Sequence, residues 1–347
     1  MDKIHHFLQK KRDQKAFSCA VYAYGNSTGI LDSGVVGTLS WEGPAADTES
    51  LFDLASVTKP IVALAIMKLF EAGELRLDDT VSRFLPDYGT SDKADITLFQ
   101  LLTHTSGIPG QQPLFHFADT RDKLMRAVRQ LPLRFKAGTN VEYTSQGFMI
   151  LGDIIEAVLQ QRLDCTMKEL VLEPVGMSQT IFNPSAELRD RIAATEYCSW
   201  RNRIVQGEVH DENAVILGGI AGHAGLFGTV SDLSRLAQTM LCKGETHQGK
   251  WLHAATVELM SKRHTPPNLL SRCLGWQGKD ARHSPAGDLF SDEAYGHTGF
   301  TGTSIFMDPA HDRFAILLTN RVHPSRDNDS IASIRAIYHN LVCLATS

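Results

Sequence analysis

Two residues three positions apart give the first indication of chemistry in this sequence. Ser56 and Lys59 stand directly ahead of an apolar run over 60–67. A small hydroxyl residue before such a run is typical of a helix N-cap, and Pro60 is tolerated in the first turn. Residues at i and i+3 share a helix face, so the lysine amine can reach the serine hydroxyl. This geometry suits an activated serine nucleophile, although an N-cap serine beside a surface lysine fits the same spacing.

A β-hairpin is predicted near each end of the chain. The runs 17–24 and 30–39, joined by a polar turn, predict an antiparallel hairpin, and 303–320 predict a second one with its turn at 308–312. Helical patterns over 4–15 and 330–344 lie outside the two hairpins. The chain is therefore expected to build one antiparallel sheet from both of its ends.

The middle of the chain has mostly helical periodicity. After Ser56 a helix is predicted through Leu69, others cover 96–102 and 143–159, and a further one starts at the N-cap candidate Ser231. The predicted fold class is α+β, an antiparallel sheet flanked by helices with an inserted, mostly α-helical domain. The expected division is residues 1–75 and 250–347 for the α/β domain and 76–249 for the helical domain, with the active site in the cleft between them.

Composition narrows the function classes. The 347 residues include 34 Lys and Arg and 39 Asp and Glu, which gives a net charge of −5. Because the basic residues form no block, nucleic acid is not expected as a partner. No apolar run is long enough to span a membrane. Six widely spaced cysteines without a Cys-x-x-Cys pair indicate free thiols in a reducing compartment. With a charged N-terminus that does not resemble a secretory signal, the sequence predicts a cytoplasmic protein, export of a trimmed chain being the alternative.

Three short motifs occur in a defined order along the chain. Ser-Val-Thr-Lys at 56–59 precedes Tyr-Thr-Ser at 143–145, which starts a predicted helix, and His-Thr-Gly at 297–299 stands just before the final hairpin. Together with the phrases at 101–109 and 218–227, they resemble the serine hydrolases related to class C β-lactamases, D,D-peptidases of the penicillin-binding-protein type and certain carboxylesterases. The resemblance covers roughly residues 15 to 345 and implies a β-lactamase/transpeptidase-like fold.

The resemblance also implies roles for individual residues. Ser56 corresponds to the nucleophile that forms an acyl-enzyme, and Lys59 and Tyr143 to the proton-transfer pair. The backbone N–H groups of Ser56 and Phe300 correspond to the oxyanion hole. Such enzymes need no metal or other cofactor. The implied substrate-binding residues are Ser145, His297, Thr298 and Gly299.

Two motif positions depart from the common pattern of these enzymes. The second motif ends in Ser145, where many relatives have an asparagine whose amide contacts the substrate. The third opens with His297 in place of a lysine that helps to hold a substrate carboxylate in many β-lactamases, and histidine is neutral or partly charged near pH 7. Strong β-lactam hydrolysis is therefore not expected, whereas ester or peptide hydrolysis is compatible with both residues.

A polar segment at 209–214 and the glycine-rich loop at 222–225 suggest a further site. Two histidines 13 residues apart do not match a standard metal-ligand spacing, so a metal site formed by His210, Asp211 and His223 is disfavoured. A loop that lines the cleft and includes His210, Glu212 and His223 is the preferred interpretation. His104 is expected to serve the structure by satisfying loop backbone groups.

The sequence thus predicts a serine hydrolase that cleaves a carboxylic ester or amide of modest size. The first expectation is esterase-type activity. The alternatives are a D,D-peptidase or an amidase acting on peptidoglycan fragments, a weak β-lactamase, and a non-catalytic homologue that keeps the fold for binding or scaffolding.

Overall fold

The structure is a computed structural model that describes residues 3–346. Its helices are α1 (Lys3–Asp13), α2 (Thr58–Glu71), α3 (Val81–Phe84), α4 (Leu98–Leu102), α5 (Arg121–Gln130), α6 (Ser145–Leu159), α7 (Leu163–Met167), α8 (Glu173–Val175), α9 (Glu212–Ile216), α10 (Val230–Leu241), α11 (Ala254–Ser261) and α12 (Ile331–Ala345). Its strands are β1 (Cys19–Asn26), β2 (Gly29–Gly37), β3 (Phe52–Asp53), β4 (Ile181–Phe182), β5 (Tyr197–Cys198), β6 (Arg203–Ile204), β7 (Leu226–Gly228), β8 (Glu245–Thr246), β9 (Gly249–Lys250), β10 (Gln277–Gly278), β11 (Tyr295–Thr298), β12 (Ser304–Asp308) and β13 (Arg313–Thr319).

The main sheet joins the two ends of the chain, as predicted. Its six antiparallel strands run in the order β10-β11-β12-β13-β1-β2. The contact between the ends is the pair β1 and β13, in which Ala20 lies opposite Thr319. Both predicted hairpins are present, β1–β2 and β12–β13. The α+β fold class is therefore confirmed.

Helices cover both faces of this sheet. Alternate residues of β1 and β13 point to opposite sides. Tyr22 and Leu317 pack with residues of α1 and α12 in one core cluster. Val21 and Ile316 belong to the second, larger cluster, which includes α2 and α10. All seven residues of β13 are buried, which explains why this strand reads as a continuous apolar run in the sequence.

The start of α2 differs from the prediction. Ser56 is not the N-cap, because it lies in a 3₁₀ turn over Ala55–Val57, and α2 begins at Thr58 without a side-chain cap. Asp53 Oδ1 accepts a hydrogen bond from the Ala55 N–H at 2.7 Å, and Ala55 takes a left-handed conformation with φ +47°. This tight turn leaves the serine hydroxyl free to face Lys59 instead of the helix backbone.

The helical region also departs from the prediction in detail. Ser231 is not the cap of α10, because the side chain of Thr229 accepts from Asp232 N and the helix begins at Val230. Three short ladders were not predicted, β3-β7-β4, β5-β6 and β8-β9. Strands of two or three residues carry no measurable periodicity, so pattern analysis cannot detect them.

The division into two domains stays a prediction. We propose that its boundary lies ahead of α10, because this helix contacts β1, β12 and β13 of the main sheet although it falls within 76–249. No disulfide joins any of the six cysteines, all of which lie in the described range. None of the helices within residues 3–346 combines the length and the apolar character needed to cross a membrane.

Candidate active site

The side chains of Ser56 and Lys59 meet at the N-terminal end of α2. Lys59 Nζ lies 2.9 Å from Ser56 Oγ and donates to the carbonyl of His223 at 3.0 Å. The lysine side chain is completely buried, and within residues 3–346 it pairs with no carboxylate. This contact places a buried amine within proton-transfer distance of a hydroxyl, so the ordinary surface-lysine interpretation does not hold.

Tyr143 lies on the other side of the lysine. Its ring centroid is 4.9 Å from Lys59 Nζ and 5.9 Å from the ring of His297. Tyr143 precedes α6 because Thr144 is the N-cap, its hydroxyl accepting from Gly147 N at 3.3 Å. The three motifs, far apart in the sequence, therefore converge around one amine.

His104 packs against Tyr143 and bonds to the residue that follows it. Its Nδ1 accepts a hydrogen bond from Thr144 N at 3.1 Å, and its ring lies 4.6 Å from that of Tyr143. Burial and the nearby cations Arg272 and Lys59 hold the pKa of His104 well below its ordinary value, which keeps Nδ1 available as an acceptor. The expected structural role agrees with these contacts.

The turn between β11 and β12 forms the wall opposite Ser56. Thr301 Oγ1 donates to Asp53 O at 2.7 Å, and Thr303 Oγ1 donates to Leu54 O at 3.1 Å, so this wall is bonded directly to the turn that carries Ser56. A Cβ at Gly299 would lie 2.5 Å from Leu54 O, which explains why glycine is needed there. Within residues 3–346, neither the Phe300 nor the Ser56 amide donates to an acceptor, so both are available to an oxyanion.

His297 is a neutral member of the site. Its ring is buried, and Nδ1 lies 2.8 Å from Thr298 O, to which it donates. Burial, with a smaller contribution from the Lys59 charge, lowers the pKa of His297 to about 3. At neutral pH it therefore supplies no positive charge for a substrate carboxylate.

Arg272 is a site residue that the sequence interpretation missed. Its guanidinium lies over the Tyr143 ring, with Cζ 5.6 Å from the centroid. The residue is only 6% exposed, and its Nε has no hydrogen-bond partner. No carboxylate within residues 3–346 forms an ion pair with it. It stands 25 positions before His297 in a segment without a recognisable motif, so no sequence signal singles it out.

Two recesses flank Ser56. One of about 270 Å³ is lined by Tyr143, Arg272, Gln277, His297, Thr298 and Gly299, and by Arg321 and Arg335. The other, of about 180 Å³, is lined by Phe115, Ser145 and residues 210–213 together with Arg326. Gln111 and Phe300 border both. The implied binding residues Thr298 and Gly299 thus lie in one recess and Ser145 in the other.

Arg321 and Arg335 hold the wall of the first recess. Arg335 donates to Gly299 O at 2.6 Å and Thr303 O at 2.8 Å, and Arg321 donates to Phe300 O at 2.8 Å. Burial lowers the pKa of Arg335 to about 9. Both side chains thus donate to backbone carbonyls. The Nε of Arg335 and that of Arg272 have no partner, but within residues 3–346 the Arg272 guanidinium alone of the three donates to no other group.

The 209–225 segment reaches the second recess. His210 and Glu212 line it. The His223 side chain does not, since its ring is buried with Nε2 3.0 Å from Asp211 Oδ1. The His223 charge and hydrogen bond hold the pKa of Asp211 below its ordinary value despite burial. His223 contributes to the centre through its carbonyl, which accepts from Lys59.

One group of side chains has the composition of a metal site. The ligand atoms of Glu196, Cys198 and Glu212 lie within 4.8 Å of one another. Arg326, however, donates to Glu196 at 2.7 Å and to Glu212 at 2.6 Å, so both carboxylates already have a cationic partner. This arrangement is a buried charge network and does not fit a cation site.

Comparison with known proteins agrees with this geometry. The family model described as Beta-lactamase matches residues 6–339. The chain is 31% identical over 318 residues to the Escherichia coli (strain K12) protein named "Putative D-alanyl-D-alanine carboxypeptidase", covering 83% of this chain and 73% of that protein. It is 32% identical over 307 residues to "N-acetylmuramyl-L-alanine amidase" of Bacillus subtilis (strain 168), covering 80% of this chain and 69% of that protein.

Solved structures share the fold at lower sequence identity. A class C beta lactamase from Rhodobacter sphaeroides superposes with a TM-score of 0.79 at 17% identity, over 100% of both chains. "EstCE1, a hydrolase with promiscuous acyltransferase activity" has a TM-score of 0.79 at 21% identity, over 96% of this chain and 97% of that one. With the resemblance of the three motifs thereby confirmed, the chain belongs to the beta-lactamase family and is a serine hydrolase.

Proposed function

We propose that Ser56 is the nucleophile, that Lys59 and Tyr143 move its proton, and that the enzyme hydrolyses an amide whose leaving amine carries a carboxylate. The backbone N–H groups of Ser56 and Phe300 form the oxyanion hole. The observation that carries the choice of substrate is Arg272, a buried guanidinium without a carboxylate partner beside Tyr143.

Acylation starts with attack of Ser56 Oγ on the carbonyl carbon. The C–O bond forms while the hydroxyl proton passes to the pair formed by Tyr143 and Lys59, whose Nζ lies 2.9 Å from Ser56 Oγ. The two N–H groups stabilise the negative oxygen of the tetrahedral intermediate. As the C–N bond breaks, the leaving nitrogen takes a proton from the Tyr143 hydroxyl, and the pair thereby returns to its starting protonation.

Deacylation uses the same groups in reverse. A water molecule attacks the acyl carbon and gives one proton to the Lys59 and Tyr143 pair. The intermediate collapses, the acid leaves, and that proton returns to Ser56 Oγ. Each cycle consumes one water molecule and restores both side chains to their starting protonation.

Arg272 fits the carboxylate of the leaving group for two reasons. Tyr143 must face the leaving nitrogen to protonate it, and Arg272 lies against the Tyr143 ring. An arginine keeps its charge when buried and binds carboxylates with two parallel hydrogen bonds. It therefore supplies the cation that neutral His297 does not.

The names of the two relatives agree with such a substrate, since both describe amides of alanine. The esterase interpretation needs the same nucleophile and oxyanion hole but makes no use of Arg272. Ester hydrolysis is therefore proposed as a secondary activity on activated esters. The D,D-peptidase and amidase alternatives both fit the carboxylate requirement.

The test compares N-acyl-L-alanine and N-acyl-D-alanine substrates with the matching alaninamides, which lack the carboxylate. We expect Arg272→Ala to lower kcat/KM for the alanine substrates about 100-fold, the size of a lost charge-assisted hydrogen-bond pair, and to leave the alaninamides unchanged. The exposed Arg282→Ala is the matched control. Equal losses on both substrate types would contradict the carboxylate role, and hydrolysis of esters alone would contradict the amidase proposal.

A further inference from the structure

We propose that Arg335 is a positioning residue that orients and polarises the Phe300 N–H of the oxyanion hole. This inference rests on the proposed function, since it concerns one of the two N–H groups that stabilise the tetrahedral intermediate. Arg335 lies on α12, outside the three sequence motifs. It acts on the reaction through a peptide group of the β11–β12 turn.

The Arg335 guanidinium is bonded to the peptide group that supplies this N–H. Its Nη2 donates to Gly299 O at 2.6 Å, and the carbonyl of Gly299 and the N–H of Phe300 belong to one planar peptide group. In a trans peptide these two groups point in opposite directions, so a donor fixed on the carbonyl also fixes the direction of the N–H. A hydrogen bond on the carbonyl polarises the peptide, which makes its N–H a stronger donor.

Further hydrogen bonds keep this peptide in one orientation. Gly299 N donates to Thr303 O at 2.7 Å, and Gly302 N donates to Gly299 O at 3.1 Å. Arg335 Nη2 also donates to Thr303 O at 2.8 Å, so one nitrogen bonds two carbonyls of the turn. The Phe300 N–H is therefore held in place before a substrate binds, which is the condition for an oxyanion donor to act without reorganisation.

The positive charge of Arg335 has no carboxylate beside it. The side chain is 7% exposed, and within residues 3–346 it forms no ion pair. A charge in a buried position acts more strongly at a given distance than one in water. Because Arg335 lies behind the peptide that bonds the oxyanion, it stabilises negative charge that develops on the other side of that peptide. Such stabilisation lowers the energy of the transition state more than that of the bound substrate.

Arg321 provides a comparison on the same turn. Its Nε donates to Phe300 O at 2.8 Å, a carbonyl that belongs to the next peptide group, between Phe300 and Thr301. Its Nη1 donates to Arg326 O at 2.8 Å and to Asn328 O at 2.7 Å. Arg321 therefore holds the turn without bonding the peptide that supplies the Phe300 N–H, so its loss should affect the reaction less.

The kinetic test separates the charge of Arg335 from its packing. Arg335→Met keeps most of the side-chain length but removes the charge and the donors, whereas Arg335→Lys keeps the charge. For both N-acyl-L-alanine and the matching alaninamide, we expect Arg335→Met to lower kcat by about 30-fold or more with KM within about twofold, since an oxyanion donor acts in the transition state. Arg335→Lys should recover most of this loss, and Arg321→Met should cost less than Arg335→Met.

Arg313→Met is the matched control for the removal of a buried arginine. Arg313 also packs against α12, but it donates to Cys343 O and Thr346 Oγ1, at the C-terminal end of that helix. Equal losses of kcat in Arg335→Met and Arg335→Lys, or in Arg335→Met and Arg313→Met, would overturn the inference. A loss confined to substrates with a carboxylate, or seen as a rise in KM, would overturn it as well, because Arg335 would then bind the substrate directly.

A spectroscopic measurement keeps the inference separate from catalysis. Gly147–Phe148 and Gly299–Phe300 are the two Gly-Phe pairs of the sequence, so isotopic labelling of glycine carbonyl carbons and phenylalanine nitrogens selects two amide signals by NMR. The nitrogen resonance of an amide depends on the hydrogen bonding of the preceding carbonyl. Arg335→Met should therefore shift the Phe300 signal and leave the Phe148 signal in place, and Arg313→Met should shift neither.

The two measurements fail in different ways. Phe300→Leu identifies the Phe300 signal by removing it. A Phe300 signal that Arg335→Met does not shift would refute the polarised peptide even if both amides are cleaved. A shifted signal in a protein that cleaves neither amides nor esters would instead refute the proposed function and support the effect of Arg335 on the peptide.

Discussion

The two recesses beside Ser56 handle charge in opposite ways. In the recess of Arg272 a guanidinium is buried without a carboxylate, and the histidine next to it is held neutral. In the recess lined by Phe115 and Ser145, Asp211 is paired with His223, and Glu212 is paired with Arg326. A buried charge without a partner is stabilised by a ligand of the opposite sign. A recess whose charged groups are already paired presents a polar surface without net charge to the ligand. The two recesses beside Ser56, the proposed nucleophile, can therefore distinguish the two halves of a substrate by their charge.

The largest expected effect concerns the residue that both recesses share. Ser56→Ala should lower kcat for every substrate by about 10⁵-fold or more while the melting temperature stays within a few degrees, because only one hydroxyl is removed. Intact-mass spectrometry should show loss of the acyl adduct as well. Ser231→Ala is the control, since Thr229 caps that helix. Residual turnover within tenfold of the parent would contradict the nucleophile.

The second test acts on the wall that both recesses share. Gly299→Ala places a Cβ against Thr303 and Leu54, so the Phe300 amide must move away from the oxyanion. Loss of one oxyanion donor typically costs 10² to 10³ in kcat. We expect a loss of about this size on substrates with and without a carboxylate, measured as kcat. Gly73→Ala, where a Cβ meets no atom within 4 Å, is the control for the general cost of replacing a glycine.

The third test measures how the free energy of unfolding depends on pH through His297, which lines the recess of Arg272. The pKa of folded His297 is about 3 and its ordinary value is 6.5, so the unfolded chain binds the additional proton between these two pH values. Stability from this residue is complete above pH 6.5 and is lost as pH falls, by about 2 kcal/mol at pH 5. His297→Gln should therefore show a smaller drop in unfolding free energy between pH 7 and pH 5 than the parent, measured with urea. An unchanged drop would contradict the neutral buried histidine.

The smallest expected effect concerns the recess lined by Phe115 and Ser145. Glu212→Gln removes one charge opposite Arg326, which keeps its contact with Glu196. Because Arg326 is partly exposed, the cost in unfolding free energy should be under about 1 kcal/mol. We expect a loss of kcat/KM that is at most severalfold and is equal for N-acyl-L-alanine and the matching alaninamide. A larger loss for the substrate with the carboxylate would show that the two recesses are not independent.

The fold class and the contact between Ser56 and Lys59 could be predicted because both follow from regular sequence patterns. The two hairpins have alternating or continuous apolar runs, and Ser56 and Lys59 are close in the chain, so their contact follows from local geometry alone. Tyr143 and His297 were accessible only through the resemblance of ordered motifs. Their roles as site residues stay proposals.

Other features depend on contacts that no local pattern encodes. Arg272 becomes notable only when folding buries it without a carboxylate. The 3₁₀ turn at Ser56 depends on a carboxylate of the same segment, Asp53, which a sequence pattern does not distinguish from any other aspartate. The internal pairing of Glu212 requires Arg326, which lies 114 residues away.

The hydrogen bonds between the β11–β12 turn and the turn that carries Ser56 have a consequence for folding. Thr301 bonds to Asp53 across 248 residues of chain, and β1 obtains its partner β13 only from the C-terminal end. Contacts of such long sequence separation form late and slow the search for the native state. During synthesis, Ser56 and Lys59 leave the ribosome long before Phe300 and β13 do. The emerging chain therefore contains the proposed nucleophile before the proposed oxyanion hole, and the site described above is complete only when the final strands are in place.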